Sequence, residues 1–218
     1  MGQILSAAPA SLPRSQQWLL AATAAFALLS LINSPFPQLA PLQNLPTLGI
    51  VAMLGWGLRR HPLPNSAVWC LALFLWLHTL GGRYAYSYVP YDAWLSAIGL
   101  PPLADLFGLI RNGYDRLVHF SFGLLMVHPI AAFLGGTGKI SPRLSRYIAV
   151  EFVLAGSAVY EIFEWLLTLI MAGADADAYN GQQGDIWDAQ KDMACAMAGA
   201  LLAAAVLIWR GRRAAIRP

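Results

Sequence analysis

Six apolar stretches, at residues 17–32, 45–58, 66–80, 117–134, 147–171 and 192–209, leave this chain few ways to fold. A bilayer core is crossed by about 20 mostly apolar residues, and lipid offers backbone N–H and C=O groups no partner outside the protein, so such stretches cross as helices. Composition removes the soluble alternative: 58% of the 218 residues are apolar and 11% are charged, against about 25% charged in soluble proteins. A soluble fold of this size needs a charged surface that the chain does not possess. Eight Trp and eight Tyr suit the headgroup level, where amphipathic rings settle. The expectation is an all-α polytopic membrane helix bundle of about six transmembrane helices, one integral domain over 1–218. The stretch at 45–58 is short and bracketed by Pro41, Pro46 and Pro62, so a re-entrant or partly interfacial element is its alternative.

Basic residues orient the bundle, because Lys and Arg are retained on the cytoplasmic side. Arg14, Arg59, Arg60, Lys139, Arg143, Arg146, Arg210, Arg212, Arg213 and Arg217, ten of the fourteen, fall on one side if the stretches alternate in direction. Both termini are therefore expected in the cytoplasm. Arg83, Arg111, Arg116 and Lys191 fall on the other side. The eleven acids divide more sharply, with Asp92, Asp105, Asp115, Asp175, Asp177, Asp185, Asp188 and Asp192 at the non-cytoplasmic side or its boundary. Glu151, Glu161 and Glu164 lie within the fifth stretch. The net charge of +3 thus reflects topology and does not point to nucleic acid. The segment after Asn33 lacks a small-x-small cleavage site, so the first stretch is expected to remain as a span. Cys70 and Cys195 fall near opposite faces, which argues against a disulfide. No oligomeric state is specified.

The first two stretches carry no charge and read as scaffold. Two outer loops are long for a compact bundle. In 81–116, Tyr84, Tyr86, Tyr88 and Tyr91 read as an interfacial belt or as an aromatic wall for a substrate, and 91–98 and 102–110 predict short interfacial helices. The loop at 172–191 is polar and predicts a helical turn near Asp185 leading into the last span.

Three segments hold residues suited to chemistry. Asp115 and His119 are four apart on one helix face, as metal ligands or as a base whose tautomer a carboxylate holds. Glu161 and Glu164, at i, i+3, share a face within the membrane, where ionisable groups are costly and mark function. They would repel unless a cation or shared proton lay between them. Asp185, Asp188 and Asp192 have i, i+3, i+7 spacing and would form one acidic stripe, unfavourable unless a cation or basic group sits opposite. His78 ends the third span on the same side. His128 lies deeper on another face as a packing residue, His61 is cytoplasmic, and Glu151 is placed to pair with Arg146.

These segments, Tyr114-Asp115-Arg116-x-x-His119-Phe120, Tyr160-Glu161-x-x-Glu164-Trp165 and Gly184-Asp185-x-x-Asp188-x-x-x-Asp192-Met193, resemble signature segments of the YjdF-type bacterial inner-membrane proteins, a family defined by sequence. More distantly the layout is similar to VanZ-like membrane proteins, onto whose pattern Asp115, Arg116, His119, Phe120, Glu161 and Asp188 map. Glu164 stands where that pattern has Gln and Asp192 where it has Asn, which makes this end more acidic. The resemblance implies the bacterial inner membrane.

Mixed oxygen and imidazole donors suit a divalent metal, with no HExxH or paired CxxC motif to choose which. The expected function is a metal-dependent enzyme acting on a lipid or lipid-linked envelope substrate at the outer leaflet. Asp115, His119, Glu161 and Asp188, with Asp185 beside them, are the expected ligands. Glu164 or Asp192 is the general base or a further carboxylate, and Arg116 or Arg111 holds a substrate phosphate. Metal-bound water then supplies the nucleophile for hydrolysis or group transfer. The alternatives are an ion-coupled transporter using Glu161 and Glu164, and a non-catalytic assembly or interaction protein.

Overall fold

The computed structural model describes residues 11–171 and 173–216, without the side chains of 174, 175, 177, 178 and 214–216. Arg217 of the basic tail and the side chains of Asp175 and Asp177 lie outside that set. Among the described residues the secondary structure is helical throughout: α1 (Arg14–Leu31), α2 (Ala40–Arg60), α3 (Asn65–Arg83), α4 (Tyr91–Ala97), α5 (Leu103–Phe107), α6 (Tyr114–Gly136), α7 (Pro142–Thr168), α8 (Gly173–Asn180) and α9 (Asp188–Ile216).

Prolines set most of the helix starts. Pro13, Pro64, Pro90 and Pro102 immediately precede α1, α3, α4 and α5, while Pro41 and Pro142 lie in the first turns of α2 and α7. A proline there sacrifices no hydrogen bond and fixes φ at a helical value. Ser141 adds a cap to α7, its Oγ accepting from the Leu144 N–H at 3.3 Å.

The six long helices overlie the six apolar stretches. The doubtful second one is a continuous helix of 21 residues that runs through Pro46, so it is not a re-entrant hairpin. The last helix starts four residues earlier than expected, at Asp188, and α8 was not foreseen in the polar loop. The two short helices of the Tyr-rich loop do form, as α4 and α5.

α6 and α9 have the length and hydropathy of membrane-crossing helices. α7 shows the inverted amphipathicity of a lipid-facing helix. Its buried stripe is Ser145, Ala149, Val153, Ser157, Glu161 and Glu164, whereas Phe152, Ile162, Phe163 and Trp165 are exposed. Four of the six buried residues are polar while large apolar ones face outward, the arrangement expected of a helix whose solvent is lipid.

α6 lies at the centre, packed against α3, α7 and α9. Its approach to α9 is the closest. A Cβ on Gly123 would lie 1.9 Å from the Ala196 carbonyl oxygen, and one on Gly199 would lie 2.1 Å from that of Phe120. Small residues allow such backbone contact between helices in a membrane, where dispersion rather than water expulsion drives association.

At one end Gln16 Nε2 reaches Leu63 O and Asn65 Oδ1, and Ser66 Oγ meets His128 Nε2. At the other, the Arg83 guanidinium donates to the carbonyls of Ser30, Ile32 and Asn33 at 2.7, 2.9 and 3.2 Å. It thereby satisfies acceptors that the end of α1 leaves open, with positive charge where the helix dipole favours it. Arg83→Ala is expected to cost about 1.5–3 kcal/mol, measured as a lower melting temperature in detergent. Unchanged stability would show that solvent replaces the guanidinium freely.

Candidate metal centre

The start of α6 is held by its surroundings rather than by a capping side chain of its own. Tyr91 OH accepts from Gly113 N–H, Asn112 Oδ1 accepts from Tyr114 N–H, and Tyr114 OH donates to Leu77 O. This places Asp115 and His119, one turn apart, on the inward face, 5% and 7% exposed. His119 Nε2 lies 3.6 Å from Asp115 Oδ1, and His119 Nδ1 lies 3.7 Å from Glu161 Oε1 on α7. α9 brings Asp192, 2% exposed, to the same point. Asp115, His119 and Asp192 each present one ligating atom, all within 4.8 Å of one another.

The acidic stripe of the sequence divides here. Asp188 and Asp192 are carried by α9, while Asp185 precedes it and accepts from the Trp187 N–H. Basic groups sit opposite. Arg116 Nη2 donates to Asp188 Oδ1 and, at 3.1 Å, to Asp185 Oδ2, and its Nη1 lies 3.3 Å from Asp192 Oδ1. Arg111 donates to Asp188 Oδ1 at 2.5 Å and to the carbonyls of Gln182 and Gly181. Both arginines, expected to hold a phosphate, are thus committed to the 181–192 segment. Lys191 hydrogen-bonds Asp185 at 2.7 and 2.9 Å and holds its carboxyl below the usual carboxylate range.

Six carboxylates (Asp115, Glu161, Glu164, Asp185, Asp188, Asp192) therefore cluster here around three ion-pairing cations (Arg111, Arg116, Lys191). Among the described residues, Asp115, Glu161 and Glu164 have no Arg or Lys partner. Glu161 Oε1 and Asp192 Oδ1 are buried without a hydrogen bond. Buried carboxylates left this way repel and bear a large desolvation cost unless a cation or proton joins them. Chemically, the donors match a hard or borderline divalent ion.

A cavity of about 300 Å³ adjoins the centre. Its polar end presents Asp115, His119, His78, Tyr86 and Tyr160 with Val118 between them, and its deeper walls include Phe74, Leu75, Phe122 and Ser157. His78 Nδ1 accepts from Tyr86 OH, and its Nε2 faces the Gln43 carbonyl at 3.2 Å, an arrangement that requires the Nε2–H tautomer. Burial, and the nearby Asp115, push the Tyr86 phenol well above its ordinary range, which keeps it a donor.

Tyr86 belongs to the tyrosine run read as belt or wall, and the run divides. Tyr86 is 4% exposed and lines the cavity, whereas Tyr88 is 54% exposed. The inward turn is made by two left-handed residues, Ala85 (φ 47) and Tyr86 (φ 50). The Tyr86 ring lies where a Cβ on Gly81 would be 2.7 Å away. Strain of this kind in non-glycine residues persists only where the surroundings enforce it. The Gly81-Gly82 pair was the available sequence signal.

Asn180 was not singled out from the sequence. Its Nδ2 donates to the Glu164 carbonyl at 3.2 Å and ties the end of α8 to α7. Beyond it, Gly181 (φ +73) approaches so closely that a Cβ there would lie 3.1 Å from Asp115 Oδ2. His128 and His61 lie at the other end, against Ser66 and Phe133 respectively. Glu151 is exposed and makes no ion pair with Arg146 among the described residues. Cys70 and Cys195 are free.

A family model described as "Predicted membrane protein (DUF2238)" matches residues 15–213. The chain is 35% identical over 157 residues to the inner membrane protein YjdF of Escherichia coli (strain K12), covering 72% of this chain and 71% of that one. No solved structure matches. The chain belongs to this family of predicted membrane proteins.

Proposed function

We propose that this member of the family is a metal-dependent membrane enzyme, acting on a lipid or lipid-linked cell-envelope substrate at the outer face of the inner membrane. The location follows the name of the Escherichia coli relative. The observation that carries the reading is the meeting of Asp115, His119 and Asp192 within 4.8 Å, in a buried setting with more carboxylates than cations. In this reading those three hold the metal. Glu161, 3.7 Å from His119, completes the set or takes a proton, and Glu164 is the further carboxylate. Asp185 and Asp188 act through Arg111 and Arg116, which position α6 against the start of α9. A divalent ion here would polarise a phosphoryl or acyl oxygen, and the cavity beside it would hold the rest of the substrate.

Elemental analysis of the purified protein tests this. Near-stoichiometric divalent metal is expected in the wild type, with at least a tenfold loss of occupancy in His119→Ala and Asp192→Asn. Asp185→Asn should keep its metal. Substoichiometric metal that neither of the first two variants alters would remove the enzyme reading. Ion-dependent flux in vesicles that disappears in Glu161→Gln would assign the buried glutamates to an ion-coupled carrier instead.

A further inference from the structure

We propose that the cavity between α3, α6 and α7 receives the hydrocarbon chain of a membrane amphiphile. The chain enters from the bilayer between α3 and α7 and leaves its head group at the Asp115–His119 end. This deepens the function proposed above by assigning the place and entry route of the substrate's hydrocarbon chain, and rests on that reading only for what happens at the polar end.

Three features carry it. First, α3 and α7 each pack along α6 but share no packed interface with each other, which leaves room between them for a chain to enter from the side. Ile50 of α2 lines the cavity and is 38% exposed, so the lining reaches the outer surface of the bundle. Second, polarity falls along the cavity. Asp115 and His119 mark one end, and Phe122, seven residues on from Asp115, marks the other beside Phe74 and Leu75. At about 1.5 Å per residue the gradient spans about 10 Å along α6, deep enough to order the start of a chain. Along those deeper walls a water-soluble polar substrate would find the Ser157 hydroxyl but otherwise apolar side chains, and would lose hydration on entering. An aliphatic chain loses nothing by exchanging bilayer for Phe and Leu, and its head group is brought to the carboxylates and His119. Third, the lower wall is opened by Gly156, where a Cβ would sit 3.3 Å from the Phe122 ring. Any larger side chain would occupy the place of the hydrocarbon.

Photolabelling of the full chain in nanodiscs tests this, using protein stripped of metal by EDTA so that occupancy of the centre does not enter. Two probes separate the sources of the chain: a phosphatidylglycerol with a diazirine in its acyl chain, and a polyprenyl monophosphate with a diazirine in its terminal unit. Crosslinks from one of them to peptides carrying Phe74 or Phe122 are expected. Gly156→Phe should reduce those crosslinks at least tenfold and leave labelling of outward-facing Phe152 and Trp165 unchanged. Ile50→Trp, on the exposed rim, provides the same test if Gly156→Phe folds poorly. Labelling confined to Phe152 and Trp165, or cavity labelling that neither variant alters, would overturn the inference. Cavity labelling in a protein that never holds metal would remove the enzyme reading and leave this inference standing. Metal binding without cavity labelling would do the reverse.

Discussion

Arg116→Met is expected to lower the stability of the folded protein by about 3–5 kcal/mol, the usual cost of removing one partner from a buried charge network. Arg116 is the side chain that reaches Asp185, Asp188 and Asp192 together, and Asp188 and Asp192 are both buried. Without it, Asp192 keeps no cation within ion-pair distance among the described residues, and Asp188 keeps Arg111 alone. Arg116→Lys should recover only part of the loss, because one ammonium cannot reproduce a planar guanidinium fork that bridges several carboxylates. Thermal unfolding in detergent measures both. Adding Asp188→Asn to Arg116→Met should restore stability relative to the single variant, since it removes one of the carboxylates left uncompensated. A double variant no more stable than Arg116→Met would refute the network account.

The second large effect is expected at the crossing of α6 and α9. On Gly123 a Cβ would lie 1.9 Å from Ala196 O and 2.7 Å from Ala200 N, and on Gly199 it would lie 2.1 Å from Phe120 O and 2.8 Å from Leu124 N. The obstacles are backbone atoms, so no side-chain rotation relieves them and the helices must separate. Gly123→Ala and Gly199→Ala should each cost about 1–3 kcal/mol or more, as overpacking does. They should also lower metal occupancy at least tenfold, because Asp192 on α9 meets Asp115 and His119 on α6 only while these helices touch. Gly57→Ala, at a helical glycine with nothing within 4 Å, provides the control and should be neutral or stabilising by up to about 1 kcal/mol. Equal stability of Gly123→Ala and Gly57→Ala would contradict the close contact.

Much of the candidate site was legible as local pattern. Asp115 with His119, and Glu161 with Glu164, were assigned to single helix faces from spacing alone, and each pair is buried in the fold. Other parts were not legible. The tyrosine run offered no means of telling Tyr86 from Tyr88, because the left-handed turn at Ala85 and Tyr86 breaks the alternation. The second helix read as bland scaffold, yet Gln43, Asn44 and Thr47 are buried along it. Nor did the polar loop announce α8, a stretch rich in Ala and Asp whose Tyr179 packs against Leu39 and Ala85 from distant parts of the chain.

By itself the sequence determined the helical class, the six long helices and the segments that carry acids and histidine. Those properties follow from hydropathy over some 20 residues and from the helical period, both of them local quantities. The tertiary structure alone decided which carboxylates arginines neutralise and which ones meet His119. Asp188 and Asp192 are four residues apart on one helix, yet Asp188 takes both Arg111 and Arg116 whereas Asp192, reached by Arg116 alone, joins Asp115 and His119. That division depends on how α6 and α9 are rotated against each other. The rotation is set by backbone contact at Gly123 and Gly199, residues 76 positions apart, which no local pattern couples.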